Sequence, residues 1–210
     1  MDWASSPSGT VFRKRVHLVG PPEAGQVTSL VRYAPEASFP AHDHPEGEEI
    51  LVLDGVFSDE HGDWPAGTYL LNPEGFRHAP FSAAGCLLFV KLRQFPGQDR
   101  EHHVTQTQNQ RWQRTDTDGV EQMNLYTQSG FTDTMQLKRW APDSELPVLR
   151  YDNGVEYFVV AGSFADEHGD YNLHSWLRLP PGSSHRPRTV TGCTVYVKTA
   201  GFTYLVADAD

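Results

Sequence analysis

The sequence predicts an all-β protein, a sandwich or barrel, and three observations support it. Its 15 prolines and 18 glycines are spread through 210 residues and cut the chain into short segments. Those segments are rich in β-branched and aromatic residues and are followed by turn signals every several positions. The third observation is a duplication at an offset of 107 residues, described below.

In chain order the strand candidates are "SLVRYA" (29–34), "EILVLDGVFSD" (49–59), "GTYLLNP" (67–73) and "CLLFVKLRQF" (86–95), then "TMQLKRWA" (134–141), "EYFVVAGSFAD" (156–166), "NLHSWLRLP" (172–180) and "CTVYVKTAGFTYLVA" (193–207). None is joined to the next by a long amphipathic pattern, so no long helix is expected. The stretch "REHHVTQTQNQRWQRTDTDG" (100–119) is polar and aperiodic and reads as a linker or surface excursion.

Placing residue n over residue n+107 lays "GEEILVLDGVFSDEHGD" (47–63) on "GVEYFVVAGSFADEHGD" (154–170) and "GCLLFVK" (85–91) on "GCTVYVK" (192–198). No gap is needed, and 20 of the 52 positions from Pro40 to Lys91 are identical. A period of domain size means two homologous modules and not a solenoid. The expected layout is a first module over 1–97, a linker over 98–120 and a second module over 121–210. Features kept in both halves are then assigned to the fold, and chemistry present in one half only becomes a candidate for function.

Composition narrows the function. A formal net charge of −10 with scattered basic residues argues against a nucleic-acid surface. No stretch approaches the roughly 18 apolar residues of a membrane span, and the N-terminal residues lack an apolar signal core, so a soluble, cytoplasmic protein is expected. Two cysteines, Cys86 and Cys193, make no disulfide framework, and both fall on equivalent strand positions expected to be core.

The chemistry-bearing cluster is "HDHPEGEEI" (42–50). In an extended strand His42, His44 and Glu48 lie at even separations and share a face, while Asp43 and Glu49 point away. In "GTYLLNPEGFRHAPFS" the Pro73-x-Gly75 turn feeds a strand carrying His78, which a hairpin can return toward the first two histidines. Imidazoles and a carboxylate together bind borderline divalent metals such as Fe, Mn, Ni and Zn.

The run His42-x-His44-x3-Glu48-x6-Gly55, followed by Gly67-x5-Pro73-x-Gly75-x2-His78, resembles the two cupin motifs, G(X)5HXH(X)3-4E(X)6G and G(X)5PXG(X)2H(X)3N. Ala37 stands where the first Gly is expected and Ser82 where the final Asn is expected; neither position is a ligand in cupins. The wording between the motifs is similar to the ChrR-like cupins, the group that includes the cupin half of the ChrR anti-sigma factor and the dihydroxyacetophenone dioxygenases. The resemblance implies a double-stranded β-helix (jelly-roll) bicupin. It also implies a metal site of His42, His44, Glu48 and His78 holding one divalent ion, with Fe(II) favoured over Zn, Mn or Ni, and no catalytic residue beyond the ligands.

In the second half His42, His44 and Glu48 become Leu149, Tyr151 and Val155, and only His78 is retained, as His185. That module is expected to be metal-free and structural. "DEHGD" recurs in both halves and reads as a hairpin turn. His102 and His103 read as solvated, and Ile50, Val52, Leu70 and Phe89 as candidates for an apolar cavity lining.

The function implied is a non-haem dioxygenase acting on a small hydroxyketone or diketone. The alternative is a metal-binding sensor or metabolite-binding cupin without turnover. An anti-sigma factor is disfavoured because only roughly 25 residues, none of them Cys, precede the stretch of the first module that carries the resemblance. The partners expected are a small-molecule substrate or ligand, with no nucleic acid and no membrane. The two barrels are expected to pack on each other, and a homodimer is compatible.

Overall fold

A computed structural model describes residues 2–6, 9–21 and 24–202, so positions 203–210 of the expected second module lie outside the described residues. The chain divides into two compact units, Met1–Asn109 and Gln110–Asp210. Apart from a single 3-10 turn at Thr107–Asn109, every regular element among the described residues is a strand. Among them no helix is long and apolar enough to cross a membrane.

In the first unit the strands Val11–Val19, Gln26–Tyr33, Cys86–Leu92 and Glu48–Asp59 lie side by side in that order, all antiparallel. The twelve-residue strand Glu48–Asp59 curls the sheet because its two ends pair with different partners. Its start pairs with Thr68–Asn72, while its end pairs with Gly62–Pro65 and Phe81–Ser82.

Gly55 makes that change of direction possible. It sits at φ +72°, and a Cβ there would lie 2.2 Å from the Gly85 carbonyl oxygen, so only glycine fits. Next to it the ladder slips by one residue, with Leu87 opposite Asp54 but Leu88 opposite Val52. The second unit repeats the device at Gly162, where a Cβ would meet the Gly192 carbonyl oxygen at 2.1 Å and the slip falls between Val159 and Ala161.

Inward residues fill the first barrel: Val11, Val31, Tyr33, Ile50, Val52, Phe57, Leu70 and Leu88 form one buried cluster. In the second unit Val120–Tyr126, Thr134–Trp140, Cys193–Thr199, Val155–Gly162 and Trp176–Leu179 follow one another in the same topology. Its core is built from Trp140, Val155, Tyr157, Val159, Phe164 and Val195. Each unit is thus a jelly-roll barrel. Cys86 and Cys193 are buried core residues, and burial pushes their thiols up to about 11 and about 12, which leaves both inert as nucleophiles.

The stretch 98–120 is not a plain linker. His103–Gln106 forms a strand against Thr68–Asn72, and the unit boundary falls just after it. Without it Thr68–Asn72 would be an edge with unpaired backbone groups, and pairing satisfies them. The covering strand faces water on one side, which is why its sequence reads as polar. His102 is likewise not simply solvated: its ring stacks on Phe76 at 4.8 Å, and His61 lies 5.1 Å from the same ring.

Candidate metal centre

The short strands His42–His44 and Phe76–His78 pair antiparallel, with His42 opposite His78 and His44 opposite Phe76. The Pro73-x-Gly75 turn delivers this pairing: the Phe76 amide donates to the Pro73 carbonyl at 3.0 Å, and Gly75 sits at φ +80°. The extended path from His44 to Glu48 assumed from sequence is interrupted. Pro45, Glu46 (φ +56°) and Gly47 (φ +73°) form a turn, closed by the Gly47 amide on the His44 carbonyl. Glu48 reaches the histidines because the turn folds back.

The four predicted residues converge. One ring nitrogen from each of His42, His44 and His78 lies within 4.8 Å of the others. Nε2 of His44 and Nε2 of His78 are 2.9 Å apart. Glu48 Oε2 lies 3.4 Å from the former and 3.6 Å from the latter. Asp43 instead meets Arg77 on the surface, and Glu49 is buried on the opposite face of its strand, across the ladder from Lys91.

The arrangement fits a divalent cation. Two nitrogens bonded at about 2.1 Å to one ion at right angles stand about 3 Å apart, close to the His44–His78 spacing. Two of the remaining ring nitrogens are already committed. His42 Nδ1 donates to the Pro40 carbonyl at 2.9 Å, and His78 Nδ1 donates to Asp59 Oδ2 at 3.0 Å, which leaves Nε2 of each with its lone pair inward. Burial holds the His44 imidazole below its ordinary value, outweighing the opposing pull of Glu48, which favours the neutral, ligating form.

Two supporting residues were not found from sequence. Asp59, read there as part of a turn, does close the hairpin to Gly62, but its carboxylate also holds His78 and accepts from the His61 amide and the Trp64 indole. Burial alone would raise its carboxyl; these hydrogen bonds bring it below its ordinary value. For His78, burial would lower the imidazole, but Asp59 and the charge of Glu48 raise it. Asn72 is the second: its side-chain amide donates to Glu48 Oε2 at 2.9 Å from the directly opposite ladder position.

The duplication contained the signal for Asn72. The cross-strand pair Glu48–Asn72 becomes Val155–Leu179 in the second barrel, so both polar partners disappear together with His42 and His44. Asp59 escaped that test because its partner is kept too: His185 Nδ1 donates to Asp166 Oδ2 at 2.8 Å, the same bond repeated. The rest of the second interior is changed. The hydroxyls of Tyr151 and Tyr157 hydrogen-bond to each other, and their rings pack 5.8 Å and 5.3 Å from His185.

A cavity of about 390 Å³ opens beside the cluster, lined by Val31, Tyr33, Phe39, Ile50, Phe57 and Leu88 among others. Of the four lining residues expected from sequence only Ile50 faces it. Val52 and Leu70 are packed in the core, and Phe89 points to the other face, since Leu88 and Val90 line the cavity and strand neighbours alternate. Ser82 holds the Val56 carbonyl at 2.6 Å and does not line it.

The sequence profile of the ChrR Cupin-like domain matches residues 1–96 and again 100–203. Comparison with curated proteins matched none of them. Among solved structures the fold is similar to that of a "putative dioxygenase" from Nostoc punctiforme, with a TM-score of 0.74 and 16% identity over 100% of this chain and 80% of that one. It is also similar to the bacterial pirin YhhW from Escherichia coli in complex with nickel(II), with a TM-score of 0.67 and 16% identity over 95% and 94% of the chains. A third similar structure is oxalate decarboxylase from Bacillus subtilis, with a TM-score of 0.64 and 12% identity over 90% and 73%. Two successive profile matches on two barrels of the same topology give the conclusion that the chain belongs to the ChrR Cupin-like family and carries its domain twice.

Proposed function

We propose that the first barrel is a metal-dependent non-haem dioxygenase acting on a small hydroxyketone or diketone. The observation that carries the reading is the convergence of His42, His44, His78 and Glu48 on one point at the wall of an apolar cavity of ligand size. A divalent ion, Fe(II) in this reading, would supply Lewis acidity toward two substrate oxygens and the redox chemistry that dioxygen requires.

The chain's own residues do the rest. Asp59 and the Pro40 carbonyl fix the tautomer and aim of two imidazoles, and Asn72 holds Glu48. Val31, Phe39, Ile50 and Leu88 exclude water from the reacting centre and leave a substrate few orientations. The Tyr33 phenol, raised by burial first and then by the charge of Glu48, stays protonated and can donate to an anionic oxygen. Among the described residues the metal cluster His42, His44 and His78 lies in this barrel, and support for the same role does not extend to the second.

The test is elemental analysis of untagged protein prepared without oxygen, with Glu48→Ala alongside, followed by dioxygen uptake with candidate diketones. One equivalent of iron, absent from the variant, and uptake that depends on it support the reading. Full metal occupancy in Glu48→Ala refutes the ligand assignment. Tightly held zinc with no uptake transfers the assignment to a sensor or metabolite-binding role.

A further inference from the structure

The cavity beside the metal cluster carries one guanidinium, that of Arg13. Arg13 lies on the strand Val11–Val19, two residues from the buried Val11 and directly opposite Val31 in the ladder. Alternation therefore turns its side chain to the inner face, and it is partly buried there. Its charge is close enough to oppose the effects of burial and of Glu48 on the Tyr33 hydroxyl.

The second barrel shows that the fold does not demand a guanidinium at this position. Val11 opposes Tyr33 in the first barrel and Val120 opposes Trp140 in the second, so the rung Arg13–Val31 corresponds to Gln122–Lys138. At this rung neither position is charged in both barrels: Arg13 is matched by Gln122, and Val31 by Lys138. The second barrel has a half-buried lysine on the neighbouring strand and no guanidinium at the Arg13 site. Both barrels thus carry a cation on this inner rung, but the barrel with the histidine cluster presents it as a guanidinium from the strand Val11–Val19.

We propose that Arg13, with the Tyr33 hydroxyl beside it, is an anion-binding end of the metal cavity, so that the ligand is a small carboxylate whose other end carries the metal-binding oxygens. Arginine suits this role: its planar fork is charged at all working pH values and takes a carboxylate by two parallel hydrogen bonds. The apolar walls lined by residues such as Val31, Phe39 and Leu88 strengthen that pairing by excluding water. The substrate class deepens the dioxygenase reading and rests on it: an oxo acid or diketo acid in place of a neutral diketone.

The test compares pentane-2,4-dione with 2,4-dioxopentanoate, which differ in a carboxylate replacing one methyl. Calorimetry is done on zinc-loaded protein so that nothing turns over. Wild type is expected to bind the carboxylate probe at least about tenfold more tightly, the contribution of one charge-assisted pair in a partly dry site. In Arg13→Met the preference falls to within about threefold, while zinc content and affinity for the neutral probe are unchanged; Arg13→Lys keeps part of it.

Equal binding of the two probes by wild type overturns the proposal, as does failure to bind the carboxylate probe. A preference that survives Arg13→Met overturns it too, because the metal alone would then explain it. If Arg13→Met does not fold, Arg13→Gln replaces it, and the wild-type comparison stands by itself. Zinc content of Glu48→Ala reports separately on the metal site, so failure of that reading and failure of this one are told apart.

Discussion

Replacing Asp59 with Asn leaves the shape of the side chain and removes the charge that holds His78. The bond is 3.0 Å long between side chains that are 2% and 1% exposed, so water cannot substitute for the lost carboxylate. A hydrogen bond to a charged partner in such a site contributes about 1.5–3 kcal/mol. Part of that is retained by the amide oxygen, and the remainder appears as weaker ligation by a less basic, less well-oriented imidazole. Metal affinity is therefore expected to fall by about 10- to 100-fold. The assay is competition for Zn2+ against a chromophoric chelator, with Glu48→Ala as the ligand-deficient reference and Asp166→Asn as the matched change in the other barrel. Asp166→Asn should leave affinity unchanged. An Asp59→Asn protein that folds normally and binds zinc within twofold of wild type would refute the argument that Asp59 positions His78.

Further outcomes follow from the same geometry. Gly55→Ala forces a Cβ into the Gly85 carbonyl at a positive φ and should cost about 3 kcal/mol of stability by urea unfolding; a loss under about 1 kcal/mol would mean the bulge relaxes. Burial alone would raise the Asp166 carboxyl, but its hydrogen bonds with His185 and the His168 amide hold it below the ordinary value. A depressed carboxyl stabilises the fold above its unfolded pKa and loses that contribution as pH falls through the folded one. The stability difference between wild type and Asp166→Asn should thus be full near pH 6 and shrink between about pH 5 and pH 2. A difference that does not change with pH would show that the charge contributes nothing.

Much of the site was legible in the sequence because duplication supplied a comparison within one chain. His42, His44 and Glu48 have lost their counterparts, whereas Glu49 has kept Glu156, and that contrast separates cavity chemistry from framework. The same reasoning fails for Asp59. A residue kept in both copies was assigned to a turn, which it does form, but its partner histidine was kept as well, so the bond between them left no difference to detect. The path from His44 to Glu48 was read as one strand because even spacing suits a strand, although Glu46 and Gly47 turn the chain instead.

The sequence by itself determined that the protein is all-β, that it is doubled, and which four side chains belong together. These follow from strand-forming composition, from identity at a fixed offset and from ligand types at fixed spacings, all of which are local or repeated along the chain. Only the tertiary structure decided which apolar residues face the cavity, that Asp59 and Asn72 stand behind His78 and Glu48, and that Arg13 is turned inward from a strand some thirty residues upstream of His42. Those contacts join residues distant in sequence through ladder register and barrel curvature. A one-residue slip beside Gly55 changes which face each neighbour presents, and no spacing read along the chain records it.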